Sequence, residues 1–174
     1  MLKVLELVCQ QLEGLGIPYM ISGSMAFNVY TVPRMTQDID MVIFIQKEQV
    51  DAFNRTFDQD FFIDDVGIKE EVHRKGMFNL VHKHTGTRLD FIIRKEGVYR
   101  KAEFERRERL DVGGFEAYVT TLEDLILSKL LWIQELQSEK QQEDIRQLLN
   151  TGKADRAYLD HWINILKIRT FGLL

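Results

Sequence analysis

Apolar positions recur at helical spacing along the N-terminal segment, where Val4, Leu5, Val8, Leu12 and Leu15 fall on one stripe. Gly14, Gly16 and Pro18 predict the end of that helix. A short strand follows over 19–22, and Gly23-Ser24 turns the chain into a second short helix at 25–30, with Ser24 as its N-cap. Pro33 and Arg34 sit in a loop. DIDMVIFI at 38–45 is rich in β-branched and apolar residues and reads as a central strand. An amphipathic helix over 47–59, then a connector with Gly67 and a short helical stretch, lead to Met77.

Beyond Met77, MFNLVHKH and TRLDFIIR flank Thr85-Gly86 and predict a hairpin. The charged stretch 98–110 reads as a helix, with Glu103–Arg107 and Glu105–Arg109 at pairing distance. RLDV, Gly113-Gly114 and FEAYV predict a second hairpin. Thr120 and Thr121 then cap a long helix, with Glu123 or Asp124 completing a capping box. From there to Leu174 the pattern is helical, broken at Asn150, Thr151 and Gly152. The expected architecture is mixed α/β (α+β): a core over 1–119 with a mixed central sheet flanked by helices, and a helical tail over 120–174.

With 174 residues and 45% hydrophobic content, the chain can bury the core of one compact domain. Its net charge of -4 runs against general DNA binding, which needs a basic excess. The lone Cys9 allows no internal disulfide, has no zinc-type spacing beside it, and is expected to be buried. The N-terminus is too polar for a signal peptide or a membrane span, so the expected setting is the cytoplasm.

Side chains alternate along a strand, so Asp38 and Asp40 share a face while Ile39, Met41, Ile43 and Ile45 point into a core. Two like charges on a half-buried surface repel, and a divalent cation with oxygen ligands relieves both. The plainer alternative leaves one Asp at the strand end and the other paired with a basic side chain. Asp90 interrupts LDFII, where an acid is disfavoured, and lies on the face opposite Leu89, Phe91 and Ile93. It can reach the same ions if its strand neighbours that of Asp38 and Asp40; the competing reading is a surface pair with Arg88. At Gly23-Ser24, a strand-to-helix turn without a Cβ lets a phosphate approach free N–H groups, although a simple tight turn has the same look.

Taken together, SGSMAFNVYTVPRMTQDIDMV resembles the signature of the nucleotidyltransferase superfamily: a hydrophobic residue, Gly, Gly or Ser, a spacer, then Asp-h-Asp. Ser22 departs from it, where a hydrophobic residue is usual. Asp90 in RLDFI resembles the third carboxylate of that superfamily. The chain is closer still to compact bacterial AbiEii-type toxins and their relatives, through Arg34, Thr36, Asp38 and Asp40, through Glu123, Asp124, Leu125, Ile126 and Lys129, and through Asp144 in EDIRQLL.

That resemblance implies transfer of a nucleoside monophosphate from a nucleoside triphosphate to an acceptor that the sequence does not identify: a protein, a tRNA end or a small molecule. It implies Mg2+ or Mn2+ at Asp38, Asp40 and Asp90, with the nucleotide held by Gly23, Ser24, Arg34, Thr36 and Lys129. It also implies a setting in a toxin–antitoxin system with a partner protein; the apolar surface of the last helix, at Trp162, Ile163, Ile165 and Leu166, is a further candidate for contact with a second copy. The alternatives are the same fold without catalysis, as a binding or antitoxin-like partner, and a metal-dependent nuclease.

Other features carry plainer expectations. His82 and His84 share a strand face and suit a solvated hairpin edge better than a metal pair. Arg94, Lys95, Arg100, Lys101, Arg106, Arg107 and Arg109 could guide an RNA or nucleotide, but interleaved acids favour internal pairs. Trp132 is expected to pack the helical tail.

Overall fold

The computed structural model describes residues 1–136 and 138–174. The N-terminal stripe forms α1 (Leu2–Gly14), followed by β1 (Tyr19–Ile21), α2 (Gly23–Tyr30) and β2 (Asp38–Ile43). A 3-10 turn (Lys47–Gln49) leads into α3 (Val50–Phe57), β3 (Phe61–Phe62), α4 (Asp65–Arg74) and the hairpin β4 (Met77–His82) and β5 (Arg88–Ile93). Next come α5 (Val98–Glu105), the hairpin β6 (Glu108–Asp111) and β7 (Glu116–Val119), and the helices α6 (Leu122–Glu135), α7 (Glu139–Asn150) and α8 (Arg156–Leu166).

The strands form one mixed seven-stranded sheet in the order β3-β4-β5-β2-β1-β7-β6. β2 runs parallel to β5, and β1 runs parallel to β7. The other neighbours are antiparallel. The mixed sheet flanked by helices is the expected fold class.

The two sheet faces differ as the alternation requires. Ile39, Met41, Ile43, Leu89 and Phe91 are buried on one face. There α3 stacks its Phe53 and Phe57 rings 4.1 Å apart, and both meet Phe91 edge-on at 5.7 and 5.9 Å. The other face carries Asp38, Asp40 and Asp90, and on it α2 packs against β2 and α6.

Several boundaries differ from the pattern, each for a local reason. α2 starts at Gly23, so its N-cap is Ser22 and not Ser24, and no side chain caps it. The helix predicted over 98–110 stops at Glu105, because 108–111 pairs with β7. The expected Glu103–Arg107 and Glu105–Arg109 pairs therefore give way to Arg100–Glu103 at 2.8 Å and Arg109–Glu116 across the hairpin at 3.4 Å. The two-residue β3 falls inside the predicted connector and covers β4. His82 is consequently buried rather than solvated, its Nδ1 2.9 Å from the Thr85 hydroxyl, while His84 stays exposed.

Thr121 caps α6, accepting from the Asp124 N–H and donating its hydroxyl to the Asp124 carboxylate at 2.7 Å. Asp124 is fully buried and also accepts from Tyr158 at 2.9 Å and Arg106 at 3.2 Å, with the Arg106 guanidinium 3.7 Å above the Tyr158 ring. Glu123 accepts from the Asp155 N–H at 3.0 Å. These two acids fasten α8 to α6, which accounts for them without nucleotide chemistry. Cys9 is buried as expected, and burial pushes its thiol up to about 12. Among the described residues no helix is long and apolar enough to cross a membrane.

Candidate active site

The parallel pairing of β2 with β5 decides the site. Asp38 lies opposite Arg88 and Asp40 opposite Asp90, so the three carboxylates stand on one face in adjacent strands. Each carboxylate already has a neighbour. The Thr36 hydroxyl donates to Asp38 at 3.1 Å, and Arg88 Nε donates to Asp90 at 2.7 Å. Asp90 thus shares the face of the other two and also pairs with Arg88.

Asp40 lies against the N-terminus of α2. The Ser24 N–H hydrogen-bonds its carboxylate, and the Ser22 N–H donates to its main-chain carbonyl at 2.9 Å. Gly23 has φ +56, and a Cβ there would lie 1.9 Å from Asp40 Oδ2. Only glycine permits both the left-handed backbone and the close approach. Burial, and then the charges of Asp38 and Asp90, raise the Asp40 carboxyl to about 6, against the pull of Lys129 and the Ser24 amide.

Arg34, Lys129 and Asp144 converge from three separate segments. Arg34 Nη2 reaches both Asp144 oxygens at 3.1 and 2.8 Å. Lys129 Nζ donates to Asp144 at 2.8 Å and to Gln141 at 2.8 Å. Lys129 and Asp144 are 5% and 4% exposed, and burial lowers the Lys129 pKa against the opposing pull of Asp144. Asn28 holds the Arg34 backbone through both its amide oxygen and its amide nitrogen, at 3.0 and 2.9 Å. The Arg34 guanidinium lies 4.9 Å over the Phe27 ring.

These groups border a cleft of about 440 Å³. Gly23, Ser24, Asp38, Asp40, Asp90 and Lys129 line it; Arg34, Thr36 and Asp144 stand behind the lining and hold Lys129 and Asp38 in place. The cleft continues past the carboxylates to Arg94, Lys95, Arg100 and Glu103, and along α6 and α7 to Ser128, Trp132 and Lys140. Trp132 is 59% exposed and lines this cleft, which corrects the expectation that it packs the helical tail. A signal for this existed: Leu125, Ser128 and Trp132 lie on one α6 stripe, and a polar residue sits in its middle.

Among the described residues no three metal-ligating side chains stand close enough together to hold an ion as they are placed. The donor set nevertheless fits a hard divalent cation: it is all carboxylate and lies on one sheet face, and burial followed by the charges of Asp38 and Asp90 raises Asp40.

The mixed sheet and its flanking helices form the fold that solved nucleotidyltransferases share. No protein-family model matches the chain, and a search of curated proteins finds no relative. Among solved structures it is similar to an antigenic nucleotidyltransferase-like protein from Paracoccidioides brasiliensis, with 20% identity and a TM-score of 0.57 over 86% of this chain and 73% of that one. It is similar to the lincosamide antibiotic adenylyltransferase LnuA, solved with lincomycin bound, with 17% identity and a TM-score of 0.59 over 86% and 96%. It is also similar to ANT(2'')-Ia in complex with adenylyl-2''-tobramycin, with 12% identity and a TM-score of 0.56 over 95% and 95%. At these identities the likeness is one of fold.

Proposed function

We propose that this protein transfers a nucleoside monophosphate from a nucleoside triphosphate such as ATP to an acceptor hydroxyl, with magnesium or manganese bound at Asp38, Asp40 and Asp90. The observation that carries this reading is the register of β2 on β5, which puts the Asp40 and Asp90 carboxylates side by side next to a glycine turn and a buried lysine. Divalent ions held there supply positive charge against the triphosphate and lower the pKa of the acceptor hydroxyl.

The chain's own residues do the rest. The Gly23 N–H and the Ser24 hydroxyl, at the start of α2, meet the β- and γ-phosphates. Lys129, fixed by Asp144 and Gln141, offsets the charge of the departing pyrophosphate. Thr36 orients Asp38, and Arg34 holds Asp144 in place. The acceptor oxygen forms a bond to the α-phosphorus, the bond from that phosphorus to its bridging oxygen breaks, and pyrophosphate leaves with that electron pair. Asp90 takes the hydroxyl proton on the oxygen that Arg88 does not hold. The likeness to AbiEii-type toxins adds a toxin–antitoxin setting to this reading.

The test is incubation with α-labelled triphosphates, magnesium and a cell extract. Label is expected to move to an acceptor with wild-type protein and not with the Asp38→Ala/Asp40→Ala variant. Equal transfer by that variant would overturn the assignment.

A further inference from the structure

In-line displacement places the attacking oxygen and the leaving pyrophosphate on opposite sides of the α-phosphorus. With the pyrophosphate at Gly23 and Ser24, the acceptor must approach from the far side of the carboxylates, where the cleft follows β5 toward α5. That end is cationic: Arg94, Lys95 and Arg100 line it, and Glu103 is its one acidic lining residue, already paired with Arg100 at 2.8 Å. Arg94 is stacked over Phe44 at 4.2 Å. Its Nε is buried without a partner among the described residues, and its charge is offset only by Glu96 at 3.4 Å. Lys95 and Lys140 are exposed on the cleft and form no ion pair among the described residues. The exposed Trp132 indole lines the same cleft and offers a flat face to a base or sugar ring.

We propose that the acceptor is phosphorylated: it carries a phosphate close to the hydroxyl that receives the nucleotide, and Lys95, Arg94 and Lys140 attract that phosphate. This rests on the nucleotidyl-transfer reading and narrows its acceptor. An aminoglycoside, which carries several ammonium groups, meets like charge at this end of the cleft. Two sources present the required chemistry, the hydroxyl end of an RNA strand and a small phosphorylated sugar.

Calorimetry with three probes decides between them: a single-stranded oligoribonucleotide with a free 3′ hydroxyl, ribose 5-phosphate, and tobramycin. At least one phosphorylated probe is expected to bind, more weakly as salt rises, while tobramycin does not; which probe binds identifies the source. The Lys95→Glu/Lys140→Glu variant should weaken that binding at least tenfold, and both side chains are exposed, so the reversal leaves the core untouched. Tighter binding of tobramycin, no binding of either phosphorylated probe, or undiminished affinity in the variant would overturn the proposal. Because binding is read without catalysis, a phosphorylated probe that binds yet accepts no label from an α-labelled triphosphate counts against nucleotidyl transfer and leaves only the phosphate-binding end of the cleft standing.

Discussion

Asp40 carries most of the electrostatic strain of the site. Its carboxyl rises from 3.8 to about 6 through burial and then the charges of Asp38 and Asp90. Between those values the folded chain holds a proton that the unfolded chain has released. The folded state therefore loses stability as pH rises through this window, and the full cost is present above about 6. Asp40→Asn removes the charge while keeping an acceptor for the Ser24 amide. In urea denaturation at pH 7.5 without divalent ions, this variant should be more stable by about 1–2 kcal/mol, with the difference fading toward pH 4. It should also be inactive. Gly23→Ala acts in the opposite direction, because its Cβ would lie 1.9 Å from Asp40 Oδ2 at a φ of +56. It should lower stability by more than about 1 kcal/mol in the same denaturation assay and abolish label transfer, since Asp40 must move.

At the scale of elements, α6 and α7 meet the loop before β2 through the Lys129–Asp144–Arg34 cluster. Asp144→Ala leaves two cations facing each other with their shared anion gone. This should cost about 3–5 kcal/mol in thermal or urea unfolding. Lys129→Met/Asp144→Leu should recover most of that stability without recovering nucleotide binding, which separates the fold's need for a filled site from the site's need for charge. The parts of this cluster were legible one at a time, Arg34, Lys129 and Asp144 each through a resemblance to AbiEii-type toxins. Their convergence was not, because it depends on how two helices pack on the strand edge and no spacing rule encodes that. The basic run 94–109 resolves in the same way. Arg94, Arg100, Lys101, Arg106 and Arg109 find acids, as the interleaved charges suggest, and Arg94, Lys95 and Arg100 also line the cleft.

Across the whole molecule, one mixed sheet carries apolar side chains on one face and, at its centre, three carboxylates on the other. The alternation in DIDMVI and RLDFII made both faces readable, including which side each Asp would take. What the alternation could not supply was strand order, so the parallel neighbourhood of β2 and β5 that unites Asp40 with Asp90 emerges only from the fold. The two-residue β3 was too short for any periodic signal, and with it went the correct environment of His82. Behind the carboxylates, Phe91 meets Phe53, Phe57 and Phe78. Phe91→Ala should destabilise the protein by about 3–5 kcal/mol in urea denaturation, through lost packing directly behind the site.

The central claim is that Asp38, Asp40 and Asp90 act together as one divalent-ion site. Manganese titration followed by electron paramagnetic resonance, in the presence of a non-hydrolysable nucleoside triphosphate, tests it most directly. Protein-dependent uptake of manganese is predicted for the wild type, with its loss in both Asp38→Asn/Asp40→Asn and Asp90→Asn. Undiminished uptake by Asp90→Asn, or none by the wild type, would contradict the account.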